Sequence, residues 1–351
     1  YVQAGLTYKA IEFGARGTTP HAPAQTISNK YGDCKDHAVL LRALLGAKGI
    51  PSQLALIDTS GPVCEDMPTL DQFDHMILHV PANGPSCFID ATMRELPADR
   101  FIPMGLAGRR ALILADEPSF QTVEAANSGR GTVRIDRRIA VGPGGEARAT
   151  ESLELVGQPA AYYRSVLRRV PPDRQAQQIE WQMQSEGYRA TVTGVSFGGL
   201  DELEEPFRLR LEYELPGRFH RNGDGTWVGQ VPAFAERFFL DLPRVANRRS
   251  PFRWLYALDV ASSTRVERAD LSGGVGGGAE IAARTLRGNI RIERAKDGLS
   301  IVAGAHRPLG SFPAADYPEA VATAGKFLEG IEMPIGVRDD PVPVSPPTGH
   351  P

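Results

Sequence analysis

The sequence predicts an α+β protein in two parts, and two observations carry that prediction. Over residues 1–120 helical and strand-like patterns alternate. From Thr132 onward, short alternating strands between Gly and Pro turns dominate, the texture of an antiparallel, sandwich-type β domain. Residues 118–131 between them are polar and rich in small side chains, as a boundary is. The expected organisation is a core over 1–120, a linker over 121–131, a β-rich domain over 132–337 and a Pro-rich, disordered tail over 338–351. At 351 residues the chain has room for two or three domains.

In the first part, residues 3–14 read as a helix, followed by a loop to Pro23. A second helix begins at Cys34 and runs to about Lys48. Ala38, Leu41, Leu44 and Leu45 recur at the spacing of one buried face. Asp33 stands at its N-cap, Asp36 at the third helical position, and Gly49 ends it. Strand-like runs follow at 53–58, 75–80, 87–90 and 111–115. In the second part, strands are expected at 132–141, 147–155, 207–215 and 299–303, with one helical stretch over 160–187. Trp227 and Trp254 are expected as core or turn anchors. The glycine-rich stretch 270–279 reads as a hairpin connection, because it lacks a preceding strand, a following helix and a Gly-Lys-Ser/Thr.

Hydrophobic residues make up 42% and charged residues 23%, an ordinary globular balance. A formal charge of −3 and a pI near 6.2 exert no pull toward nucleic acid or an anionic membrane. Arg109-Arg110, Arg137-Arg138 and Arg168-Arg169 are short and scattered, and are expected on solvated faces. No apolar run approaches the roughly 20 residues of a membrane span. The chain opens at Tyr1 without methionine, so an upstream segment, with any targeting signal, is expected to be missing. Three cysteines are too few for a disulfide framework. Cys64 and Cys87 could pair in an oxidising compartment, but unpaired thiols are the favoured reading.

The functional signal lies in three short runs: Gly32-Asp33-Cys34-Lys35-Asp36-His37-Ala38, Phe73-Asp74-His75 and Phe88-Ile89-Asp90-Ala91-Thr92. A thiol, with an ordinary pKa of about 8.5, becomes a nucleophile as the thiolate. The first turn of a helix favours that anion through unpaired N–H groups and the macrodipole. An imidazole at a strand start can take the thiol proton, and a carboxylate on the next strand can orient the ring. The Cys34 amide could donate to the oxyanion, and Tyr8 or Tyr31 could supply a second donor. Taken singly, each residue has a plain reading as a small buried hydrophobe, a polar strand residue or a turn cap. Their order and spacing together point to a catalytic unit. His37 is expected at the surface, His79 as a polar strand residue, and Lys35 and Asp36 in local helix-start contacts. A zinc site of Cys34, His75 and His79 is disfavoured, since no short Cys-x-x-Cys or His-x-x-x-His pair is present. No spaced acidic loop suggests calcium, and no cofactor is expected.

These runs resemble the transglutaminase-like superfamily of papain-type fold. More narrowly they are similar to its bacterial branch, in which an N-terminal β domain of unknown function (DUF3857) precedes the core. Tyr8-Lys9-Ala10-Ile11-Glu12-Phe13-Gly14 is similar to that branch's lead-in. The resemblance covers residues 1–120 and implies a papain-like core with Cys34 as nucleophile, His75 as general base and acid, and Asp90 as orienting acid. It also implies a peptide or protein substrate and a periplasmic or secreted location. Two positions depart from the branch: Asp74 stands where Asn is usual, and His37 where Lys or Arg is usual. An acid beside His75 implies a raised histidine pKa. The leading β domain is not in this chain. The expected activity is acyl chemistry through a Cys34 thioester, with hydrolysis favoured. Amine transfer and a non-catalytic envelope scaffold are the alternatives.

Overall fold

The computed structural model describes residues 1–10, 14–67, 69–82, 87–97, 100–124, 130–223, 227–267, 269–270, 278–295 and 298–337. The fold is α+β and rich in sheet. It divides into two compact units: Tyr1–Gly131 with Ala160–Tyr162 and Trp254–Ala257, and the remainder. The tail over 338–351 and residues 271–277 of the glycine-rich stretch lie outside the described residues.

In the first unit, α1 (Val2–Gly5) makes a single turn before Leu6 leaves it in an extended conformation. The helix expected over 3–14 therefore fails after Gly5. Thr7 and Tyr8, both strand formers, make β1 (Thr7–Tyr8) instead, while residues 11–13 lie outside the described ones. Next come α2 (Pro23–Asn29), opened by a proline, and β2 (Tyr31–Gly32), which pairs parallel with β1. Directly after β2 comes α3 (Cys34–Gly46), ended by Gly49 at φ 72°, a left-handed conformation suited to glycine. Then β3 (Gln53–Ile57), β4 (His75–Val80), β5 (Cys87–Ile89), β6 (Arg110–Leu114) and β7 (Ser119–Thr122) form an antiparallel sheet in the order β5-β4-β3-β6-β7. β7 occupies part of what reads as linker; residues 125–129 of that linker lie outside the described ones.

Register builds the core of this unit. Ala55 faces Ile77 on one side and Ile113 on the other, and these pack with Ile57, Phe88, Ile102, Leu106, Ala111 and Val123. The helix α3 packs against β3 and β4. Its burial is concentrated at its start. Lys35, Asp36, His37, Ala38 and Leu40 are buried, while Leu44 is exposed. The expected stripe through Leu41, Leu44 and Leu45 thus gives way to an N-terminal half whose polar side chains are enclosed.

In the second unit β8 (Arg130–Val141) and β9 (Ala147–Val156) precede α4 (Gln158–Arg169) and α5 (Gln175–Ser185). Two helices replace the one expected over 160–187, because Pro171 and Pro172 lack the N–H a continuous helix needs. The chain continues through β10 (Thr191–Gly198), β11 (Phe207–Glu214), β12 (Phe219–Arg221), β13 (Trp227–Gln230), α6 (Phe234–Leu240), β14 (Phe252–Trp254) and β15 (Ala257–Glu267). It ends with β16 (Ala269–Asp270), β17 (Ala279–Ala282), β18 (Arg287–Ala295), β19 (Gly298–Arg307), β20 (Gly310–Phe312), α7 (Tyr317–Ile331) and β21 (Pro334–Val337). Eight strands form one sheet in the order β10-β11-β9-β8-β15-β19-β18-β17, and β12-β13-β21-β16 form a second. Strict alternation of buried and exposed residues along β8, β9 and β11 marks one packed and one solvated face. Trp227 anchors a turn: its indole N–H donates to Pro143 O at 3.1 Å and its ring lies against Gly145.

Alternation also corrects the expectation that the arginine pairs are solvated. Arg137 faces inward and is fully buried, whereas its neighbour Arg138 is exposed. Arg137 donates to Glu151 at 2.7 Å, to both oxygens of Glu236 on α6 at 2.9 and 3.3 Å, and to Thr264 at 3.1 Å. Tyr213 donates to Glu151 at 2.8 Å. One guanidinium thus bridges two carboxylates inside the sheet packing. Arg137→Met would strand both carboxylates, and a loss of about 3–5 kcal/mol in unfolding free energy is expected, read as a lowered urea midpoint.

Candidate active site

The start of α3 is built from consecutive residues. Asp33, extended at φ −95° and ψ −167°, accepts the Asp36 amide at 3.4 Å, and Asp36 accepts the Asp33 amide at 3.3 Å. This reciprocal capping box satisfies amides that a helix start leaves unpaired. Lys35 Nζ binds the second Asp33 oxygen, so the buried carboxylate has a buried counter-ion. Gly32 is required by space, because a Cβ there would sit 2.5 Å from Asp36 Cβ. Cys34, half-buried, occupies the first helical position; its amide has no partner within the helix.

The other two predicted residues meet it from the sheet. His75 opens β4, and Asp90 follows β5 directly. Nε2 of His75 lies 2.7 Å from Asp90 Oδ2, while Asp90 Oδ1 accepts the Thr92 amide at 2.9 Å and the Thr92 hydroxyl at 2.7 Å. The Cys34 side chain lies close enough to the imidazole to raise its pKa as well. Cys34, His75 and Asp90 are therefore brought together in that order. Burial works against charge on His75, but hydrogen bonds and negative charge from Asp90 and Cys34 prevail and raise its pKa from 6.5 to about 10. Burial also opposes ionisation of Asp90, yet His75 and Thr92 hold its carboxyl below the usual range.

Asp74 is not among the leading causes of the raised His75 pKa. Its carboxylate is turned away, accepting the Thr59 amide at 2.7 Å and hydroxyl at 2.6 Å. Arg109, expected on a solvated face, is buried and clamps this loop: it donates to Thr59 O at 2.7 Å, Gly105 O at 3.0 Å and Gly61 O. The segment leading into His75 is thereby tied to the loop before β6.

His37, expected at the surface, is buried. Its Nδ1 donates to Asp33 O at 2.8 Å and its ring lies 5.9 Å from that of Tyr8. Tyr31 carries the Lys9 ammonium over its ring at 4.5 Å. His79 belongs to the sheet packing: Nδ1 meets Gln53 Oε1 at 2.9 Å, the ring contacts Phe88, and burial lowers its pKa. The three cysteines are free thiols. Among the described residues, no group of three or more His, Cys, Asp or Glu side chains is arranged to hold a metal ion.

Sequence reading missed His21. It lies in the loop before α2, yet its amide donates to Asp36 Oδ1 at 2.7 Å and its Nδ1 sits 3.0 Å from Asp36 Oδ2. No periodicity or motif marks it, because the contact is tertiary.

With this geometry in view, comparison with known proteins adds a fold. No family model matches the chain. No curated protein matches it. Among solved structures it is similar to a candidate protease from Parabacteroides distasonis, with a TM-score of 0.54 and 12% identity, over 96% of this chain and 50% of that one. The likeness shows shared fold alone, and the chain spans about half the length of that protein. Among the described residues no helix is long and apolar enough to cross a membrane.

The histidine shift gives a pH signature. Because the folded pKa is raised, its stabilisation is fully present below about pH 6.5 and is lost as pH rises toward about 10. The Asp90 contribution has the opposite sign, present above about pH 3.8 and lost as pH falls through the lowered value. The difference in thermal midpoint between wild type and His75→Gln should therefore be largest from about pH 4 to 6.5 and should narrow toward pH 10. Scanning calorimetry across that range reads it.

Proposed function

We propose that this protein carries out cysteine-dependent acyl chemistry on peptide or side-chain amides, with hydrolysis as the favoured outcome. The observation that supports it most is the His75–Asp90 hydrogen bond beside Cys34, which stands at a helix start. The resemblance of the three motifs to transglutaminase-like enzymes supports the same reading. The structural neighbour's own description as a candidate protease agrees with it.

In the proposed mechanism His75 already carries the proton as imidazolium, and Cys34 Sγ attacks the amide carbonyl as the thiolate. The Cys34 amide donates to the developing oxyanion. His75 then delivers its proton to the leaving amine as the C–N bond breaks, leaving a thioester. Water, deprotonated by His75, attacks the thioester, releases the acid and restores the thiolate. Asp90 holds the ring with one nitrogen toward Sγ and stabilises its charged form. A primary amine in place of water would give transfer, and the choice depends on how well the cleft excludes water.

Two measurements test this reading. Site-resolved alkylation of Cys34 by iodoacetamide at about pH 7 should be rapid in wild type and should slow in His75→Ala. Equal rates in the two proteins would sink the assignment. With a peptide-amide library, His75→Ala should lower turnover by about 10²–10⁴-fold. Product mass with excess primary amine then separates the outcomes: incorporation of the amine means transfer, and a gain of water alone means hydrolysis.

A further inference from the structure

Asp36 is almost wholly enclosed and carries three hydrogen bonds: two from His21, through its amide and Nδ1, and one from the Asp33 amide. Burial alone would favour the protonated acid, yet these donors hold its pKa below the usual carboxylate range, so Asp36 is ionised at neutral pH. An ionised carboxylate only accepts, which places a proton on His21 Nδ1. The Asp33 amide bonded to Asp36 belongs to the residue just before Cys34, and that bond fixes the extended turn from which the thiol leaves the helix.

We infer that His21 is a positioning residue for Cys34, acting through the Asp36 carboxylate at the start of α3. This rests on the reading of Cys34 as a nucleophile. The backbone half of the His21 contact survives most substitutions, so the ring's share is one hydrogen bond to one oxygen of a buried anion. Without it that oxygen keeps only the 3.3 Å bond from Asp33. A buried carboxylate short of donors turns toward solvent or takes up a proton. Either response loosens the capping box, and Cys34 loses its fixed approach to His75. The ring of His21 is largely enclosed, with 13% of its side chain exposed, so solvent does not readily replace it. His75 is tied to Cys34 and Asp90 instead, which leaves this role to His21.

The test compares His21→Leu, which removes the ring donor, with His21→Asn, whose side-chain amide nitrogen falls close to the position of Nδ1. Cys34 alkylation by iodoacetamide at pH 7 is measured beside the urea midpoint, with His75→Ala as reference. Leucine should slow alkylation by about tenfold, as misplacement of a reacting group by a fraction of an ångström does. Asparagine should restore the rate to within about twofold of wild type, with both variants folded. Should the leucine protein not fold, His21→Gln takes its place, its amide lying one methylene too far out. Wild-type rates in His21→Leu, or equal slowing in His21→Asn, overturn the inference. If His75→Ala slows alkylation while His21→Leu does not, the nucleophile assignment stands and only the positioning role falls. If neither slows it, the assignment itself fails and the positioning role with it.

Discussion

The reciprocal cap between Asp33 and Asp36 is the constraint on which the site depends. It encloses two carboxylates within one helical turn, and each must find donors or force the turn open. Asp33 finds Lys35, and Asp36 finds His21. Gly32 has no side chain because Asp36 occupies that space. The run Gly32-Asp33-Cys34-Lys35-Asp36 therefore has a structural logic independent of catalysis: spacer, cap, first helical residue, counter-ion, reciprocal cap. The cysteine is the one residue of the five to which the cap assigns no task, which is why its identity points to chemistry.

The imidazole is held by a different means. His75 sits where a strand begins, and the loop before it would be free to wander without the Asp74–Thr59 contacts and the Arg109 clamp. These bonds explain why an acid adjacent to His75 does not lead its titration: the Asp74 carboxylate is committed to Thr59. Asp90, turned by Thr92, supplies the charge instead. Burial raises the stakes of both arrangements, since the same low-dielectric surroundings that strengthen the His75–Asp90 bond would penalise either group alone.

What the sequence made legible was local. The cap, the helix start and the strands over 75–80 and 87–90 all follow from neighbours within a few positions. What it hid was tertiary. His21 reaches Asp36 across fifteen residues with no periodic signal. The first helix stopped at Gly5 because a parallel pairing with β2 competes for Thr7 and Tyr8. Composition gives no warning that Arg109 and Arg137 are buried. Yet for Arg137 the warning was available in principle, since two adjacent arginines on a half-buried strand cannot both face solvent. His37 misled for a related reason. Its side chain turns back to the Asp33 carbonyl, and helical spacing alone does not reveal such a return.

Buried charge recurs in both units on the same terms. Around Arg137 one cation serves Glu151 and Glu236, with Tyr213 and Thr264 completing the set; around α3 two anions are each served by a separate base. The difference lies in what the enclosure achieves. The Arg137 cluster ties β8, β9, β11, β15 and α6 at points far apart in sequence, so it specifies which elements meet. The α3 cluster ties residues of one turn and a single loop, so it specifies the orientation of one side chain. Charges enclosed over so short a span contribute little to the choice of fold. Their cost is better matched by the fixed direction they give the bond from Cys34 Cα, which is the quantity a nucleophile needs.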